Sequence, residues 1–187
     1  ILLFAFVAMA VPIVKSKSWR QIGILSKILL MAIAHIVFYL GLLGVIEKGV
    51  QWGLYGAFYM VLALTFVMAR RVAPFFIEKG LGGGITVKNS VIVDRASLVL
   101  LVLYVIFDVF WLSNLIYAVA VLLCVAHSTR LVLWYRRGIW QKPLLWSLYT
   151  AYVFLTLGFS LKAASYFIVI SPFITLHCFA MGIALFT

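Results

Sequence analysis

Charge is scarce in this chain, and acidic charge is scarcer still. Of 187 residues 10% are charged, with four Asp or Glu against fifteen Lys or Arg. With 67% hydrophobic residues and a mean hydropathy of +1.23, the chain has too few polar groups to cover a water-soluble domain. Only two cysteines occur, Cys124 and Cys178, both inside apolar runs. That excludes a disulfide scaffold, and each reads as a small buried hydrophobe. The chain has no HExxH and no CxxC, and no Gly-Lys-Ser/Thr follows the glycines at 82–84. A zincin helix, a dithiol site and a phosphate loop are therefore not encoded, and the glycine run reads as a flexible turn.

Long apolar runs fill the remainder. A spanning helix takes about 20 apolar residues to cross ~30 Å of hydrocarbon. Segments 1–14, 22–46, 50–69, 96–112, 114–134, 144–161 and 164–187 meet this wholly or in part. They are continuously apolar, without the alternation of a membrane β-barrel. The expected class is all-α: one polytopic transmembrane helix bundle of about seven spans. Its single long extramembrane loop is expected at 70–95, where Pro74 ends or redirects a helix. Phe75, Phe76 and Ile77 would then insert at the interface while Glu78 and Lys79 face water. Residues 1–14 lack a basic leader and a cleavage site, so they do not read as a signal peptide. Both terminal runs are cut short, and the chain is expected to be part of a larger protein.

The cations set an orientation. Thirteen of fifteen lie on alternate connections: Lys15, Lys17, Arg20 and Lys27; Arg70, Arg71, Lys79, Lys88 and Arg95; Arg130, Arg136, Arg137 and Lys142. The other connections carry only Lys48 and Lys162. Basic residues are retained in the cytoplasm, so the odd-numbered connections are expected there if the membrane is a bacterial inner one. Trp19, Trp134, Trp140 and Trp146 would mark the inner boundary, and Trp52 and Trp111 the outer one. A net charge of +11 thus reads as topology and contact with membrane lipid. A nucleic-acid patch would not alternate loop by loop, so no nucleic-acid partner is expected.

Few polar groups fall within the runs. Counted at ~1.5 Å per residue, His35, His127 and His177 lie ~15–20 Å from the outer face, in one layer near the midplane. Imidazole ligates haem iron, copper and zinc, and a bis-imidazole site needs two helices presenting His at one depth. His35 and His177 meet that best. Met31 lies four residues before His35, Met181 four after His177, and Cys124 three before His127, so each pair shares a helix face. Thioether, thiolate and imidazole together suit Cu(I). Against this, a lone membrane His commonly hydrogen-bonds across helices, and Met or Cys commonly packs. Asp108 is the one carboxylate inside an expected span, a position that marks a proton or ion path or an interhelical partner. Arg130, near the inner boundary, reads as snorkelling to water. Pro172 would kink the last span just before His177.

Several segments resemble one family, the NnrS proteins of bacterial inner membranes. They are Leu64-Thr65-Phe66-Val67-Met68-Ala69-Arg70-Arg71-Val72-Ala73-Pro74-Phe75-Phe76, then Trp134 with Lys142-Pro143-Leu144-Leu145-Trp146 and Ala151-Tyr152, then His177 with Gly182. The resemblance implies a haem- and copper-containing protein of about twelve spans, linked to nitric oxide metabolism and nitrosative stress. This chain would be roughly its middle half. The family's Trp-His-x-His-Glu-Met element is absent, and the usual Thr after Phe-Phe is Ile77 here. Only His177 is a family-type position; His35 and His127 rest on depth. The expected function is haem and copper binding in nitric oxide response, with nitric oxide as a ligand. The alternative is a metal-free transporter or assembly factor that uses its histidines and Asp108 for structure or for proton and ion passage. The residues themselves assign no reaction.

Overall fold

The structure is a computed structural model, described here for residues 2–18, 22–82, 84, 86–87, 90–110 and 114–186. Trp19, Arg20, Lys88 and Trp111, used above for orientation, lie outside the described residues. The helices are α1 (Leu2–Lys15), α2 (Ile22–Leu42), α3 (Gly49–Leu81), α4 (Val91–Phe110), α5 (Leu115–Trp134), α6 (Pro143–Ala164) and α7 (Pro172–Phe186). A 3-10 turn, Arg137–Gln141, joins α5 to α6. No strand occurs among the described residues, and the all-α class is borne out.

Four helices, α2, α3, α5 and α6, are long and apolar enough to cross a membrane. With 20 residues α4 is as long as α5, but it carries Asp94, Arg95 and Asp108. The 14 residues of α1 and 15 of α7 reach only ~21–22 Å, short of a full crossing.

Several boundaries differ from the sequence expectation, each for a local reason. Helix α2 stops at Leu42 rather than 46 because Gly44 adopts a φ of +75°. The Val45 amide then donates to the Leu40 carbonyl (3.0 Å) and the Gly44 amide to Gly41 (3.1 Å), closing a Schellman cap. Helix α3 runs through Pro74 to Leu81 instead of ending at 69. Ala69, Ala73 and Ile77 repeat every fourth residue and are 0%, 3% and 3% exposed, so burial of that stripe outweighs the donor lost at proline. Ile77 is thus a core residue and not an interfacial one. Because α4 begins at Val91, the connection shrinks from 70–95 to 82–90, and Asp94 becomes a helical residue. The last expected span also resolves differently. Pro172 opens α7 at its first position, where its missing donor costs nothing, and does not kink a continuous helix.

The chain forms two compact units, Ile1–Leu64 and Thr65–Thr187. In the first, α1 packs on α2, with Ile13 and Ala32 buried. In the second, α6 is central, touching α5, α7 and the 3-10 turn, while α4 packs on α5. Its core centres on Tyr104, Leu123, Tyr152, Leu155, Phe159 and Phe179, all fully buried. Close approach of α6 and α7 depends on two glycines. A Cβ at Gly158 would enter the Phe179 ring, and one at Gly182 would lie 2.6 Å from Leu155 Cδ2 and 2.9 Å from the Ala151 carbonyl oxygen.

Candidate functional site

The second unit buries a polar chain at one end of its helices. In the first turn of α4, Asp94 meets Arg130 from the last turns of α5, Nη2 to Oδ1 at 2.7 Å. The same Nη2 donates to Ser97 Oγ at 3.1 Å, and Arg130 Nη1 donates to the Tyr152 hydroxyl on α6 at 2.8 Å. The second oxygen of Asp94 accepts from Arg70 Nη1 on α3 at 3.2 Å. Arg130 is 4% exposed, so it does not snorkel to water. Burying a cation this far requires pairing, and the acid, a serine and a phenol supply it. The Arg130 guanidinium also lies 5.9 Å from the Trp134 ring centroid, and Trp134 packs on Tyr152 at 4.9 Å. Trp134 is 1% exposed, hence a core residue and not a headgroup anchor. Trp140 and Trp146 are exposed.

Tyr152 carries the chain on to His127. Its hydroxyl is 2.5 Å from Nδ1, and the imidazole packs against Phe66 (4.3 Å) and Phe159 (5.4 Å), whose own rings are 5.9 Å apart. Arg130 can only donate to the hydroxyl, which leaves the phenolic proton for Nδ1. The imidazole proton then resides on Nε2, a fully buried atom with no hydrogen-bond partner among the described residues. The other tautomer would leave two atoms unsatisfied, Nε2 and the phenolic proton. Beside the ring is a cavity of about 10 Å³ lined by Phe66, Arg70, Asp94, Ser97, His127 and Arg130 among others. That volume is about one water molecule's.

The other sequence candidates are placed as follows. His177 is exposed on α7, and its Nδ1 donates to the Phe173 carbonyl at 3.0 Å. A carbonyl only accepts, so His177 Nε2 carries a lone pair, the arrangement seen in metal-ligating imidazoles. Met181, one turn on, is 48% exposed. His35 is exposed on α2, edge-on to Tyr39 at 5.0 Å, with Met31 half-buried nearby in sequence. Cys124 is half-buried with Sγ 4.0 Å from Ser128 Oγ, and both cysteines are free. Asp108 accepts from Lys162 Nζ at 2.6 Å, joining α4 to α6 at the opposite end from Asp94. No group of three or more His, Cys, Asp or Glu side chains suited to a metal occurs among the described residues.

Asp94, Arg130 and Tyr152 are absent from the sequence candidates. One signal for them was available: His127 and Arg130 are three apart and share a face of α5.

The family model for NnrS protein matches residues 1–186, essentially the entire chain. The chain belongs to the NnrS family. No curated protein and no solved structure matches it. The NnrS match and the apolar helices together make it a membrane protein. Of the segments that carried the resemblance, the run from Leu64 to Phe76 lies within α3, buries Thr65, Phe66, Ala69, Ala73 and Pro74, and delivers Arg70 to Asp94. Within the NnrS chain, Trp134 and Tyr152 are likewise parts of the buried polar cluster.

Proposed function

We propose that this NnrS-family protein binds haem and copper in a bacterial inner membrane, with nitric oxide as the ligand and nitrosative stress as the setting. The observation that carries this reading is His177: its Nδ1 is tied to the Phe173 carbonyl while Nε2 carries an outward-facing lone pair on an exposed helix face. Met181, exposed one turn away, adds a soft donor on that face. These two side chains fit haem iron or Cu(I). His35 is likewise exposed on α2 within its own unit. His127 does not fit haem, because the space beside it is about 10 Å³ and its outward nitrogen holds a proton. When bound, haem iron would supply a coordination position for a diatomic gas.

The protein's own part is to orient and to exclude. The Phe173 carbonyl sets the His177 tautomer and ring angle. The buried Asp94–Arg130–Tyr152 chain holds α4, α5 and α6 together at one end, and α7 packs on α6 through Gly158 and Gly182. Its test is the absorption spectrum of the full-length protein together with metal analysis. A Soret band that weakens in His177→Ala supports the reading. Neither haem nor copper in protein made with both supplied would sink it.

A second reading rests on different side chains. The half-buried ion pair of Asp108 on α4 with Lys162 on α6 suits a metal-free protein that passes protons or ions. Proton flux into proteoliposomes, abolished by Asp108→Asn, would favour it.

A further inference from the structure

We propose that the groove between the end of α3 and the start of α4 binds the phosphate-bearing headgroup of an anionic glycerophospholipid. The groove is open, with a volume of about 640 Å³, and is lined by Arg70, Arg71, Phe75, Glu78, Asp94 and Arg95 with Pro74, Val87 and Val91. Small-molecule pockets run from about 300 to 1,000 Å³, so it is larger than a free phosphate requires.

Charge decides the class of ligand. Three arginines face two carboxylates in the groove, and of the two only Glu78 lacks an ion pair among the described residues. Asp94 takes Arg130 on one oxygen and Arg70 on the other, and Glu78 Oε1 accepts the Val87 amide at 2.8 Å. Arg71 and Arg95 are exposed and have no ion-pair partner among the described residues. Two guanidiniums facing one open groove are a fork for phosphate oxygens. The rim explains the lipid. Phe75 is 54% exposed and Val91 62%, and both lie beside the arginines where acyl chains would leave a headgroup. Basic pockets in membrane proteins bind anionic headgroups in this way. The site is separate from His177, and its failure would leave the metal reading untouched.

The test is native mass spectrometry of the full-length protein released from nanodiscs that contain phosphatidylglycerol and phosphatidylcholine. Wild type should retain phosphatidylglycerol selectively. Arg71→Gln/Arg95→Gln should lower that retention by on the order of tenfold. Lys79→Gln, an exposed cation on the same helix outside the groove, should leave it unchanged. Equal retention in wild type and the double variant would overturn the proposal, as would an equal loss in Lys79→Gln. Inorganic phosphate is titrated in parallel; if it displaces the lipid and binds alone with the same arginine dependence, the occupant is free phosphate and the lipid assignment fails. The single variants Arg71→Gln and Arg95→Gln, each checked by melting temperature, carry the comparison if the double variant does not fold.

Discussion

Arg130 donates to three neighbours at once, Asp94, Ser97 and Tyr152, while almost wholly buried. Removing one member of a buried ion pair leaves the other uncompensated, at about 3–5 kcal/mol. Arg130→Leu should therefore destabilise the protein by about that amount in denaturant titration in detergent. Adding Asp94→Asn should return part of the loss, because the buried carboxylate, left with only the longer contact to Arg70, is then gone; strict additivity would contradict the coupling. Tyr152→Phe removes a hydroxyl shared by Arg130 and His127 and should cost about 1–3 kcal/mol in the same assay. A change within error would mean that water satisfies both groups. Little of this cluster was legible in the sequence. Asp94 sits beside Arg95 in a stretch with the composition of a loop, and Arg130 sits where snorkelling is the ordinary outcome. What buries them is a partner 36 positions away, which no local pattern encodes.

At the scale of elements, the apolar runs located most helices, and the errors collect at prolines and glycines. Pro74 did not end α3 because a buried alanine–isoleucine stripe continued past it, whereas Pro172 did mark a helix start. Both are the same residue type within an apolar run, and packing decided between them. The contact of α6 with α7 gives a sharp prediction. Gly158→Ala would drive a Cβ into the buried Phe179 ring and should destabilise by about 1–3 kcal/mol. Gly23→Ala, where a Cβ meets nothing within 4 Å, should be neutral or stabilising by up to about 1 kcal/mol. Thermal melts of the two variants in one detergent check the pair. Similar melting temperatures would show that α6 and α7 do not pack this tightly. Gly44→Ala, forced to a φ of +75°, should fray the end of α2 and cost about 1 kcal/mol.

For the molecule as a whole, membrane class and helical architecture were plain in composition, because so few charges cannot cover a soluble surface. The candidate site was less plain. Depth alone grouped three histidines in one layer, yet they differ in what they can do. His127 is buried against two phenylalanine rings and bonded to Tyr152, while His177 presents a free lone pair from an exposed face. Helix periodicity gives each residue a face, but it does not say which faces other helices cover.

That difference leads to the deciding measurement, the Soret absorbance per mole of full-length protein in wild type, His177→Ala and His127→Phe, each expressed with haem and copper available. The account predicts a band in wild type, its loss or shift in His177→Ala and its retention in His127→Phe. A band that survives in His177→Ala and disappears in His127→Phe would contradict it, and so would wild-type protein with neither haem nor copper.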